Sequence, residues 1–176
     1  MPLLVDPPTD EGTVSACAIL GRALYVACGF EDDCRSLAFV LKVREPQPEG
    51  QTDDEFFAAV SKAVLGRLVD LSKLISHRAR LHEDYAAMLH TARDARNYIA
   101  HEAFDDLERL SKALGGFDRW QSVLASKLED VAYGKAIVAV LLSRNSAEPT
   151  PTQEAIDEYP RRIASWVFES DAQLER

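Results

Sequence analysis

The chain has 176 residues and a formal net charge of −9, with 47% hydrophobic and 28% charged residues. This is an ordinary globular mixture, long enough to enclose one full core. The acidic balance argues against broad, sequence-blind binding to nucleic acid through a basic surface. No apolar run approaches the ~20 residues that a membrane span needs.

Residues 1–12 contain Pro2, Pro7, Pro8 and Gly12 and read as a flexible arm ahead of a single domain over 13–176. The first residues lack the basic start and long apolar run of a signal peptide, so the expected location is cytoplasmic. From Thr13 to Cys28 the pattern Val14, Cys17, Ala18, Gly21, Leu24, Cys28 is helical. Gly29 is expected to end or bend that helix. Glu31-Asp32-Asp33 suits a new helix N-terminus through the dipole, with Leu37, Val40 and Leu41 carrying a second helix to about Arg44. Cys17, Cys28 and Cys34 fit no metal spacing and read as small core residues in a reducing compartment.

Glu45 to Gly50 is a loop, since two prolines and a glycine forbid a continuing helix. Thr52-Asp53-Asp54-Glu55 is a capping box. It starts a helix of about six turns with Phe57, Val60, Val64, Leu68, Leu71 and Ile75 on one stripe. A short basic turn over 76–80 leads into the next helix, over 81–103. There Leu81, Tyr85, Met88, Ala92, Ala95, Ile99 and Ala103 recur at steps of three and four and mark the core face. His90, Asp94, Asn97 and His101 lie on the opposite face, with Arg93 and Arg96 on the flank.

Asp105 and Asp106 suit the cap of a shorter helix bearing Leu107, Leu110 and Leu114, stopped by Gly115-Gly116. Asp118 with Gln121 resembles another capping box, opening a helix from about Arg119 to Leu142. Its second half, Ala136 to Leu142, is apolar all round, as befits the centre of a bundle or a subunit contact. Thr150 reads as the N-cap of a last helix, with Pro151 at its first position and Gln153 at its third. Pro160 is expected to kink or split that helix. No segment is patterned for β structure. The fold class is an all-α bundle of five to seven helices.

The stretch 77–101 concentrates what chemistry the chain offers. It is one unit positive while the rest sums to −10, and it holds all four histidines. Arg96-Asn97-x-x-x-His101 resembles the R-x4-H signature of HEPN domains, many of which are metal-independent RNA endonucleases. In that family the residue after the Arg is commonly polar, as Asn97 is here. The resemblance implies Arg96 and His101 as the essential pair, at the seam of a homodimer where two copies of the motif face one cleft. It implies a supporting role for Asn97, which would hold a phosphate oxygen or orient His101, and contacts from Arg93 and Tyr98 to RNA. No metal and no cofactor is implied, and an antitoxin or immunity partner would suit a toxin or defence setting.

The chemistry is coherent. Attack of a 2′-hydroxyl on the adjacent phosphorus needs proton transfers, which histidine performs near neutral pH. It also needs charge stabilisation on phosphate oxygens, which a guanidinium supplies through a fork of hydrogen bonds. On an ideal helix, however, Arg96 and His101 point about 140° apart. A long arginine, a helix break or a second copy of the site would each close that gap. Both residues fall off the core stripe, so their replacement is expected to leave folding nearly intact. One departure bears on regulation. A toxin–antitoxin branch of the family carries a modifiable tyrosine two positions after the histidine, where this chain has Ala103.

Three rival readings stand beside this one: the plainest is that 81–103 is merely a solvated surface helix that needs no function, and the other two come from other classes. One is a non-catalytic helical interaction module working through an acidic surface. The other is a metal site built from His77, His82, His90 or His101 with Glu83 or Asp94. His90 and His101 lie eleven residues apart, ~16 Å along a helix, too far to share one metal directly.

Overall fold

The computed structural model describes residues 11–110 and 113–169, which form seven helices and no strand. They are α1 (Glu11–Val43), α2 (Asp53–Val64), α3 (Leu68–Arg78), α4 (Glu83–His101), α5 (Ala103–Leu110), α6 (Gly116–Arg144) and α7 (Gln153–Phe168). The all-α bundle is as the periodicity requires. Of the expected arm, residues 1–10 lie outside the described residues, while Glu11 and Gly12 already belong to α1.

α1 is one helix of 33 residues, not two. A lone glycine costs a helix only ~1 kcal/mol, and burial runs unbroken across Gly29 through Val26, Ala27, Phe30, Cys34 and Leu37. Glu31-Asp32-Asp33 therefore sits in mid-helix, where Arg35 bonds Glu31 and Asp32 from the next turn and Lys135 of α6 bonds Asp33 at 2.5 Å. The stripe that reveals this helix in the sequence is not the one it buries. Val14, Cys17, Gly21, Leu24 and Cys28 are exposed, while Ala16, Ile19, Ala23, Val26 and Phe30 face the core.

The Thr52 capping box forms as expected: Thr52 Oγ1 accepts from the Glu55 amide, and Glu55 Oε2 accepts from the Thr52 amide at 2.9 Å. The helix it opens does not run for six turns. It stops at Val64, and Arg67 takes an extended conformation before α3 begins. The break at Leu65-Gly66 turns two short helices so that Val60 and Val64 on α2, and Leu68, Leu71 and Ile75 on α3, all bury.

α6 is the central helix, packed on α4, α1, α7 and α5. It starts at Gly116, earlier than a cap at Asp118 would place it. Gly115, at φ +69°, is its N-cap in the left-handed conformation that glycine adopts without penalty. Arg44 ties the end of α1 to the end of α6 by bonding Asn145 Oδ1 at 2.6 Å and its carbonyl at 3.1 Å, so the two long helices run side by side in the same direction. α7 is capped by Thr152, whose Oγ1 accepts from the Ala155 amide at 3.2 Å, rather than by Thr150. Pro160 does not split α7, which continues to Phe168 and buries Val167. The loss of one backbone donor is smaller than the packing retained beyond it.

Candidate functional site

The position of α4 is set from α6. A Cβ on Gly134 would lie 2.3 Å from the Ala92 Cβ and 3.0 Å from the Phe30 ring. Only glycine admits so close an approach, and it draws α1, α4 and α6 together at one point. Arg96, one turn beyond Ala92, consequently meets Glu31, the neighbour of Phe30.

The helical phase of α4 agrees with the sequence in its second half and departs from it in the first. Ala92, Ala95, Ile99 and Ala103 are buried, but Leu89 is buried in place of Met88, and Tyr85 and Met88 are exposed. The first turns of α4 border an apolar cleft of about 470 Å³ against α6 and α7, lined by Leu81, Tyr85, Met88, Ile137 and Val140 among others. None of the five candidate site residues lines it.

At the other end, α4 stops with His101, and the chain breaks at Glu102 before α5. Trp120, fully buried on α6, fixes the break by donating its Nε1–H to the Ala103 carbonyl at 2.8 Å. The break follows His101 and so leaves Arg96 and His101 on one regular helix, still diverging by about 140°. Arg96 turns towards α1 and His101 into solvent, and the two share no hydrogen bond.

Arg96 is half-buried and heavily engaged. Its Nη2 donates to Glu31 Oε2 in an ion pair, and its Nη1 donates to Asn97 Oδ1 at 3.3 Å. Its Nε is buried without a partner. The other Glu31 oxygen accepts from Arg35, so two guanidinium groups converge on one carboxylate between α1 and α4. Beneath them lies Cys34, fully buried, whose thiol is pushed up to about 12 by burial and then by the charge of Asp33.

The remaining candidates are placed apart. Arg93 donates to Asp94 Oδ1 at 2.9 and 2.6 Å and to His90 Nδ1 at 3.3 Å, one turn from Arg96. Tyr98 turns into the bundle, where its hydroxyl donates to Asp106 at 2.9 Å. Burial, with that carboxylate second, raises the phenol well above its ordinary range. His82 is the N-cap of α4, and its Nδ1 accepts from the Asp84 amide. Among the described residues no group of three or more His, Cys, Asp or Glu is gathered as a metal site would be.

Sequence reasoning brought Arg96 and Asn97 together but missed Glu31 and Arg35. The available signal was an acidic run set inside an apolar helix, with an arginine four residues on from Glu31. No family model, curated protein or solved structure matches the chain.

Proposed function

We propose that the chain is a HEPN-like, metal-independent endoribonuclease that cleaves single-stranded RNA by 2′-hydroxyl attack and works as a homodimer. The observation that carries the reading is the end of α4: a half-buried arginine bonded to its neighbouring Asn97, followed one turn later by an exposed histidine on the last residue of the helix. In this reading His101 transfers protons, Arg96 binds phosphate oxygens with Arg35 close by, and Asn97 orients the guanidinium. Arg96 and His101 of one chain diverge, so each cleft takes its arginine from one copy and its histidine from the other. Until substrate arrives Glu31 serves as a counter-ion that holds the guanidinium in register, and RNA phosphate displaces it from Arg96 on binding.

The test is cleavage of a single-stranded RNA panel in EDTA. The expected products end in 2′,3′-cyclic phosphate, DNA of the same sequence survives, and His101→Ala lowers the rate by at least ~10²-fold. No cleavage by the wild-type dimer across the panel would overturn the reading.

A second reading has one observation in its favour. The Arg96–Glu31 ion pair is closed within the fold, as a purely structural pair would be. A non-catalytic helical interaction module would keep that pair and show no dependence on His101.

A further inference from the structure

α1 carries a second apolar face that nothing among the described residues covers. Val14, Cys17, Gly21, Leu24 and Cys28 follow one another at steps of three, four, three and four, the spacing of a coiled-coil seam. All five are exposed, Val14 by 50% and Leu24 by 39%. Tyr25, 74% exposed, stands beside them and packs against Trp166 of α7 with ring centroids 5.8 Å apart, which widens the face onto a second helix.

We propose that this face seats a second copy of the chain, helix against helix, with the closest approach at Gly21. The proposal rests on the homodimer of the proposed function and names its surface.

Three features select a second copy as the occupant. Small Cys17 and Gly21 lie between bulky Val14 and Leu24, so two identical α1 helices can come closest at Gly21 while the larger side chains close the seam on either side. Space beside Gly21 is open, since a Cβ built there meets nothing within 4 Å. From Gly12 to Phe30 the only charged residue is Arg22, and its side chain is turned to the Val167 and Glu169 carbonyls of α7 at 2.9 and 3.0 Å. On a chain of net charge −9, this is a strip along which two copies meet without repulsion.

The seam also leads to the motif. Its next position after Cys28 is Glu31, which holds Arg96. Parallel pairing sets the two Arg96 clusters at the same end of the interface. Antiparallel pairing about the middle of the seam separates them by roughly 30 Å.

The experiment combines sedimentation of the full chain at tens of micromolar with oxidation of its own cysteines by copper phenanthroline. Wild type sediments as a dimer. Gly21→Leu, which fills space open in a single copy and makes the monomer melt no lower than wild type, and Tyr25→Glu, which costs the monomer only the Trp166 ring contact, each weaken the dimer at least ~10-fold. Oxidation links the copies through Cys17 and Cys28, and Cys34 stays reduced. Links of Cys17 to Cys17 and Cys28 to Cys28 report the parallel pairing that a shared cleft needs. A Cys17-to-Cys28 link keeps the interface and overturns the shared cleft, whatever the RNA assay shows. A monomer at this concentration, or a dimer indifferent to both substitutions, overturns the proposal. So does a monomer that floats with phospholipid vesicles and loses that behaviour in Tyr25→Glu, because α1, contrary to the expectation from apolar runs in the sequence, is long and apolar enough to cross a membrane by length and composition.

Discussion

Arg96 on α4 is bonded to Glu31 on α1 across 65 positions of sequence, with both side chains largely withdrawn from water. The guanidinium is therefore part of the packing between two long helices as well as part of the motif. Removing Glu31 leaves the Arg96 guanidinium half-buried without a counter-ion, which costs more than the pair itself is worth, whereas removing Arg96 leaves Glu31 with Arg35 alone.

Glu31→Gln and Arg96→Ala are each expected to lower stability by about 1–3 kcal/mol, and the double variant by less than the two losses added together. Denaturant unfolding of the four proteins measures the coupling. Strict additivity would place the two groups apart in solution. The consequence for catalysis is practical. The sequence expectation that Arg96 could be replaced at no cost to folding does not hold in this structure, so Arg96→Ala confounds lost chemistry with lost packing. His101, exposed at the helix end, is the clean position.

Gly134 makes the second prediction. Its missing side chain is what allows Ala92 and Phe30 to meet α6 at one crossing, with a built Cβ only 2.3 Å from Ala92. In an open helix Gly→Ala stabilises, because alanine is the better helix former. Here overpacking wins, and Gly134→Ala is expected to cost about 2–3 kcal/mol. The same change at Gly21, where no atom lies within 4 Å, is expected to raise monomer stability by roughly 0.5–1 kcal/mol. Thermal melts of the two variants at low concentration separate the cases. An unchanged or raised melting temperature for Gly134→Ala would mean that α4 and α6 cross elsewhere.

The helices were legible because their periodicity is local, and so were caps such as Thr52-Glu55, where both partners lie within one turn. What lies beyond one helix was not. α1 has two apolar stripes, and only its packing against α3, α6 and α7 shows that Ala23, Val26 and Phe30 turn inward while Leu24 and Cys28 turn out. Met88 and Leu89 are adjacent and both apolar. The choice between them depends on where α6 and α7 stop covering α4, and that is a fact about other elements. Gly29 and Gly66 look alike in sequence, yet the helix runs through the first and breaks at the second, where two short helices bury their apolar residues from different directions. The motif divided in the same way. Arg96 and Asn97 are neighbours, but Glu31 and Arg35 reach the site only through tertiary packing.

Cys34 supplies a prediction about pH. In the unfolded chain a thiol loses its proton near 9.0, whereas in the fold this one keeps it to about 12. Between those values the unfolded state binds fewer protons, so stability falls as pH rises. The contribution is fully present below about 9 and is lost as pH approaches 12. Tyr98, whose phenol is also raised by burial, acts in the same direction from a higher starting point. The melting temperature of wild type should therefore decline more steeply from pH 9 upward than that of Cys34→Ala, whatever the offset between them at pH 7. Parallel curves would show that the thiol is accessible. A thiol reagent at neutral pH, applied to protein dilute enough to be monomeric, gives a second check: Cys17 and Cys28, both exposed in the single chain, react in the folded state, and Cys34 reacts only on unfolding.

The last prediction concerns how one cleft is assembled from two chains. Arg96 and His101 sit on an unbroken stretch of α4 and diverge, with the arginine held against α1. If each cleft takes its arginine from one copy and its histidine from the other, two inactive variants can repair one another. Arg96→Gln alone lacks a guanidinium in both clefts, and His101→Ala alone lacks a proton carrier in both. In a mixed dimer the cleft formed by the intact Arg96 of one chain and the intact His101 of the other is complete. Random exchange makes half the dimers mixed, each with one good cleft, so the mixture should recover about a quarter of the wild-type rate. The measurement is RNA cleavage in EDTA after the two variants are mixed, diluted below the dimer dissociation constant and reconcentrated. Mixing without exchange is the control and should stay inactive. If wild type cleaves and the exchanged mixture remains dead, the pair acts within one chain, and Arg96 must then leave Glu31 and swing towards His101 on the same helix.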